Sequence, residues 1–118
     1  MKLSELLETY YFHDSSIEEI QYNQEKHQVI LKIELCAWMQ DWYSEEEPEI
    51  EDVHLIFKNV IFSDLPSFEQ SEYDEIANID LLEEKNGVEG IKICINAGLR
   101  YPTITIFAKE VNVVHSKD

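Results

Sequence analysis

Val29, Leu31, Ile33 and Leu35 recur at every second position, with Lys32 and Glu34 between them. A β-strand turns successive side chains to opposite faces, so this spacing predicts a strand with one face buried. The same period returns in Val53, Leu55 and Phe57, in Ala77, Ile79 and Leu81, in Ile91, Ile93 and Ile95, and in Ile104 and Ile106. Ile17 and Ile20 mark a less regular strand over Ser16 to Tyr22, and Val111, Val113 and Val114 a short last one. The segments follow one another too closely for helical crossovers, which predicts antiparallel neighbours. Polar turns are expected at Asn23 to Lys26, Lys85-Asn86-Gly87 and Asn96-Ala97-Gly98; Asn-Gly tolerates the positive φ that tight hairpins need. The apolar phase changes at Asn59, before Val60, Ile61 and Phe62, and a bulge or tight turn there would explain it. Ser63 to Asp74, with Pro66 and Phe68, reads as a polar connection, and Ser116 to Asp118 as a fraying end.

Leu3, Leu6, Leu7, Tyr10 and Tyr11 follow three- and four-residue spacing, which predicts a short helix capped by Ser4 and ending between Tyr11 and His13. The expected fold is α+β: a mainly antiparallel β-sheet of about six to seven strands with this short N-terminal helix packed on it. Residues 1–118 read as a single domain, built as one curved sheet or as two layers. The expected core holds Leu7, Val29, Leu31, Ile33, Leu35, Val53, Leu55, Phe57, Ile79, Leu81, Ile91, Ile93, Ile104 and Ile106.

Charge narrows the partners. The 118 residues carry 25 Asp plus Glu against 9 Lys plus Arg, a formal net charge of -16. With 44% hydrophobic residues the chain is nonetheless rich enough in apolar side chains to bury a core. Positions 41 to 84 hold fifteen carboxylates, with Lys58 as the only base. A phosphate backbone would be repelled, so no nucleic acid is expected as a partner, and a charge-selected partner would be a basic protein. No apolar run approaches the roughly 20 residues that span a bilayer, and no membrane association is expected. Met1 to Glu5 lacks the pattern of a signal peptide, so a cytoplasmic location is expected, with Cys36 and Cys94 as free, mostly buried thiols.

Two stretches carry candidate chemistry. Ala37 to Glu49 breaks the strand period and sets both tryptophans beside carboxylates. Trp38, Trp42, Tyr43, Glu45, Glu46 and Glu47 are the candidate binding residues, Trp42 being expected outside and Trp38 over the core. Aromatic anchors rimmed by charge are what a protein interface uses. The other stretch is His13-Asp14, where a His-carboxylate pair could orient a base or hold a metal. His27, His54 and His115 fall in separate segments, and no HExxH, CxxC, EF-hand, nucleophile-elbow or phosphate-loop spacing occurs. No metal and no cofactor is therefore expected, and His13 is assigned a structural role at the helix-to-strand junction, with Asp14 capping the turn or accepting the amides of Ser15 and Ser16.

Phe12-His13-Asp14-Ser15-Ser16-Ile17-Glu18-Glu19-Ile20, followed by Val29-Ile30-Leu31-Lys32-Ile33, resembles small bacterial domains that open on a His-Asp-Ser or His-Asp-Cys element before a first hairpin. Some of these are similar to immunity proteins of polymorphic toxins, which bind and block a toxin. The resemblance implies a non-enzymatic inhibitor of a basic toxin or enzyme. The competing expectations are a small hydrolase or metal-dependent domain using His13 and Asp14, and a structural domain.

Overall fold

The computed structural model describes residues 1–66, 75–98 and 100–115. Helix α1 (Leu3–Thr9) is followed by strands β1 (Ser16–Asn23), β2 (Gln28–Cys36), β3 (Ile50–Asp64), β4 (Glu75–Lys85), β5 (Val88–Asn96) and β6 (Thr103–His115), and a single 3₁₀ turn, Ala37–Met39, leaves β2. The fold is α+β, as the periodicities predict, and all strand pairs are antiparallel. Two three-stranded meanders, β1-β2-β3 and β4-β5-β6, join along β3 and β6 and bend round until β1 meets β4, giving a barrel in the order β1-β2-β3-β6-β5-β4. The sheet is thus one curved layer.

The alternating residues of β2, β3, β5 and β6 face inward together. Val29, Leu31, Ile33, Leu35, Val53, Leu55, Phe57, Ile91, Ile93, Ile95, Ile104 and Ile106 have no exposed surface. Asn59 takes φ 54°, a left-handed conformation that Asn accepts more readily than β-branched residues. The inward series of β3 changes there from Phe57 to Val60, with a register shift between Val60 and Phe62. The irregularity anticipated at Asn59 therefore exists, but β3 runs through it. The valines at 111, 113 and 114 are likewise the end of a long β6, with Lys109 and Glu110 as its polar interval. Asn86 and Gly87 both have positive φ and turn β4 into β5.

Three expectations fail. The helix stops at Thr9, and Lys2 occupies its N-cap position, where its amide donates to the Glu5 carboxylate at 3.0 Å. Leu7 and Ile79 are half-buried against the core, and Leu81 is 50% exposed. Leu81 does lie opposite buried Ile91, but among the described residues β4 has a strand on one side only at this level, so half of Leu81 stays exposed. Ser63 and Asp64 belong to β3, so the polar connection begins at Leu65; its residues 67–74, Phe68 among them, and the predicted fraying of 116–118 lie outside the described residues.

The helix fills the gap the strands leave. β5 pairs with β6 only as far as Phe107, and beyond it the edge of β6 is taken by Met1, whose ammonium donates to the Val111 carbonyl at 3.0 Å and whose carbonyl accepts from the Val111 amide at 2.9 Å. This seats Leu3 and Leu6 in the core with no exposed surface. On the outer face, Phe107 packs on Gly90 and meets Phe62 edge-on at 6.1 Å, while the Lys85 ammonium lies 5.0 Å from the Phe107 centroid.

A Cβ at Gly90 would overlap the Phe107 ring. Gly90→Ala should therefore cost about 1–3 kcal/mol from overpacking, read as a lower denaturant midpoint, and Phe107→Leu in the same chain should recover part of it. Ile33→Ala, which opens a void in the barrel interior, should cost roughly 2–5 kcal/mol in the same assay.

Candidate functional site

His13-Asp14-Ser15 is the seam at which the barrel closes. β1 and β4 share one register pair, Ser16 with Glu75. Around it the Asp14 amide donates to the Ile76 carbonyl at 3.0 Å and the Ile76 amide to the Ser15 carbonyl at 2.7 Å. Asp14 sits at φ 66°, where Asp is among the few non-glycine residues found routinely. The turn it makes lets Ser15 point inward, fully buried, and its Oγ accepts the Cys36 amide at 3.0 Å. His13 extends the seam by one bond: Nδ1–H donates to the Ala77 carbonyl at 2.7 Å, while Nε2 lies 3.4 Å from the Asp14 carboxylate. This bond of His13 reaches away from the helix-to-strand junction to β4, across 64 positions. Asp14 contributes its backbone conformation; its carboxylate meets His13, and the Ser15 amide donates to Phe12.

The Cys36 thiol closes the same junction, donating to the Asp14 carbonyl at 3.4 Å. Burial pushes its pKa up against the Ser15 hydrogen bond, and the carboxylates of Asp14, Glu75 and Glu34 add to the rise. Cys36 and Cys94 are both free and half-buried.

Four residues after Cys36, Gln40 fixes the excursion between β2 and β3. It is buried, accepts the Tyr11 amide at 2.8 Å, and donates to the carbonyls of Tyr11 at 2.6 Å and Cys36 at 3.0 Å. The Trp38 amide donates to Glu49 and the Tyr43 amide to Gln40, so the excursion is folded back on itself. Glu45, Glu46 and Glu47 form an exposed turn in which the Glu47 amide donates to Ser44 at 2.9 Å. Tyr43 is half-buried.

Trp42 is exposed, as expected, but Trp38, expected over the core, is exposed as well. Trp38 is 53% exposed and Trp42 37%. Trp38 follows buried Ala37 in a 3₁₀ turn that directs it off the barrel, whereas Trp42 lies edge-on to His115 at 6.4 Å. His115 is itself held: Nδ1–H donates to Glu51 at 2.6 Å, and Nε2 lies within hydrogen-bond distance of the Tyr10 hydroxyl at 3.3 Å. Burial, then the Glu51 charge, raises the Tyr10 pKa. Tyr11 and Ile50 are further exposed apolar side chains whose backbones adjoin this excursion. Gln40, Tyr11, Ile50 and His115 carry no sequence signal for this end of the barrel, because four distant segments meet there.

The described residues hold one more cluster. Glu18, Glu34 and Asp52 bring carboxylate oxygens within 4.8 Å of one another on the outer face of β1, β2 and β3. Lys32 already supplies a cation, its Nζ 3.3 Å from Glu18. A hydrogen bond between Glu34 and Glu18, then burial, then the neighbouring charges of Glu18 and Asp52, raise the Glu34 pKa.

No protein-family model, curated protein or solved structure matches this chain.

The two polar arrangements make separate predictions. Gln40→Ala leaves the Tyr11 and Cys36 backbone groups unpaired and should cost about 1–3 kcal/mol, measured by urea unfolding, with the change in tryptophan fluorescence reporting the freed excursion. Glu34 binds its proton more tightly folded than unfolded, so its contribution falls as pH rises above the ordinary value of 4.5. Glu34→Gln should therefore gain stability over the wild type between mild acid and neutral pH, seen in unfolding midpoints measured across that range.

Proposed function

We propose that this chain is a non-enzymatic protein-binding domain whose aromatic and acidic end engages a basic protein, in the manner of an immunity-type inhibitor. The observation that carries this reading is the pair of exposed tryptophans on an excursion pinned by buried Gln40 and bordered by Glu45, Glu46, Glu47 and Glu49. Pre-ordered aromatic side chains give up little entropy on binding, and they are enriched among residues that dominate interface energies. The carboxylates add a long-range field that speeds encounter with a positive surface and weakens with salt. The resemblance of the His-Asp-Ser element to domains of that kind points the same way. Chemistry at His13 and Asp14 has less support, since the His13 ring braces the seam and its neighbour is Asp14 itself.

The test is affinity capture from the native host at low and moderate salt, with mass spectrometry of what is retained. A protein of high isoelectric point should be held at low salt and released as salt rises. In surface-plasmon measurements on that protein, Trp38→Ala and Trp42→Ala should chiefly speed dissociation, a hot-spot loss of about 2 kcal/mol being roughly 30-fold in Kd. Replacing Glu45, Glu46 and Glu47 with Gln should chiefly slow association. Unchanged binding by both sets of variants, with circular dichroism unaltered, would place the interface elsewhere.

A further inference from the structure

We propose that the open edge of β4 accepts an extended, alternately apolar and basic segment of a protein partner by strand addition. β1 and β4 meet at their first residues and run in opposite directions, so neither covers the other. The His13–Ser15 seam occupies β4 only as far as Ala77. From Asn78 to Lys85 the strand pairs with β5 on one side and has no backbone partner on the other among the described residues. Such an edge offers main-chain donors and acceptors to an incoming strand.

Side chains set which strand fits. Ile79 and Leu81 lie on the inward face, opposite Ile93 and Ile91, and the exposed half of Leu81 is apolar surface that an added strand would cover. Beside Ile79 an open hollow of about 220 Å³, lined by Leu7, Tyr10, Phe12, His13 and Asn78, has room for one side chain. The outward face and the far end of β4 carry Asp80, Glu83 and Glu84, all exposed. The strand's one base, Lys85, is turned onto the rings of Phe62 and Phe107. A second copy of this chain would set carboxylates against carboxylates, a repulsive cross-strand arrangement, whereas lysine or arginine would be attracted. Alternation of apolar and basic residues satisfies both faces at once. This surface is distinct from the tryptophan excursion and does not depend on it.

The probe is a synthetic seven-residue peptide alternating Val and Lys, offered to the intact chain at up to millimolar concentration. Hydrogen exchange followed residue by residue by NMR should show amides of β4 between Asn78 and Lys85 slowed at least tenfold at saturation. Asp80→Lys with Glu84→Lys, at two exposed positions, should weaken binding at least tenfold at low salt. A Val–Glu peptide should not bind. A Val–Lys peptide N-methylated at alternate amides keeps its charge but loses its ladder donors, and it should bind at least tenfold more weakly. Equal binding by the N-methylated peptide would reduce the effect to bulk attraction. No binding, or protection on β1 with none on β4, would equally overturn the proposal.

Discussion

A curved six-stranded sheet closes into a barrel only if its two edge strands are joined, and here the join between β1 and β4 is one register pair wide. Everything at the seam follows from that economy. With Ser16 and Glu75 alone in register, the backbone groups next to them need partners from outside the strands, and His13, Asp14 and Ser15 supply them. Asp14 gives the left-handed turn, Ser15 an inward acceptor for the start of the excursion, and His13 a bond to the next carbonyl of β4. The residues of this short motif each make a hydrogen bond that holds the closure. The same junction orients Tyr11, and through Gln40 it determines where the tryptophans sit.

The legible part of the fold is the part written in nearest neighbours along a strand. Val29 to Leu35 and Ile91 to Ile95 alternate because one face is buried along their whole length, and their register with the flanking strands keeps those faces together. Asn86-Gly87 is legible for the same local reason. Leu81 is not: its alternation is as regular, but whether an inward-facing residue is covered depends on the strand next door, which is a property of the closure. The outward turn of Trp38 has the same origin. A 3₁₀ turn decides the direction of one ring and a histidine from β6 receives the other, and neither is visible in a window around the tryptophans.

The candidate site was legible as a composition and not as an assembly. Aromatic residues beside a carboxylate run mark Trp38 to Glu49 as an irregular, charged excursion, which it is. What gives the excursion a shape is one buried glutamine bound to a segment near the N-terminus, and a tyrosine–histidine–glutamate chain from three elements. Gln40 in sequence is a polar residue among polar residues. Its importance comes from the three hydrogen bonds that burial makes obligatory.

The bond between the amino terminus and Val111 spans 110 positions, and the seam links residues near 14 to residues near 76. The seam cannot reward the chain until β4 has begun, and the terminal bond not until nearly all of the chain is present. The helical segment therefore has no seat while the ribosome is still adding β6, and short isolated helices are barely populated in water. The two meanders can form as local units, but enclosing the core must wait for both. Topologies so dominated by non-local pairing fold in about milliseconds to seconds rather than microseconds. For that interval the inward faces of both meanders stay in contact with water. The charge of -16 then has a kinetic use, since strongly like-charged chains repel one another during the time when sticking together would be easiest.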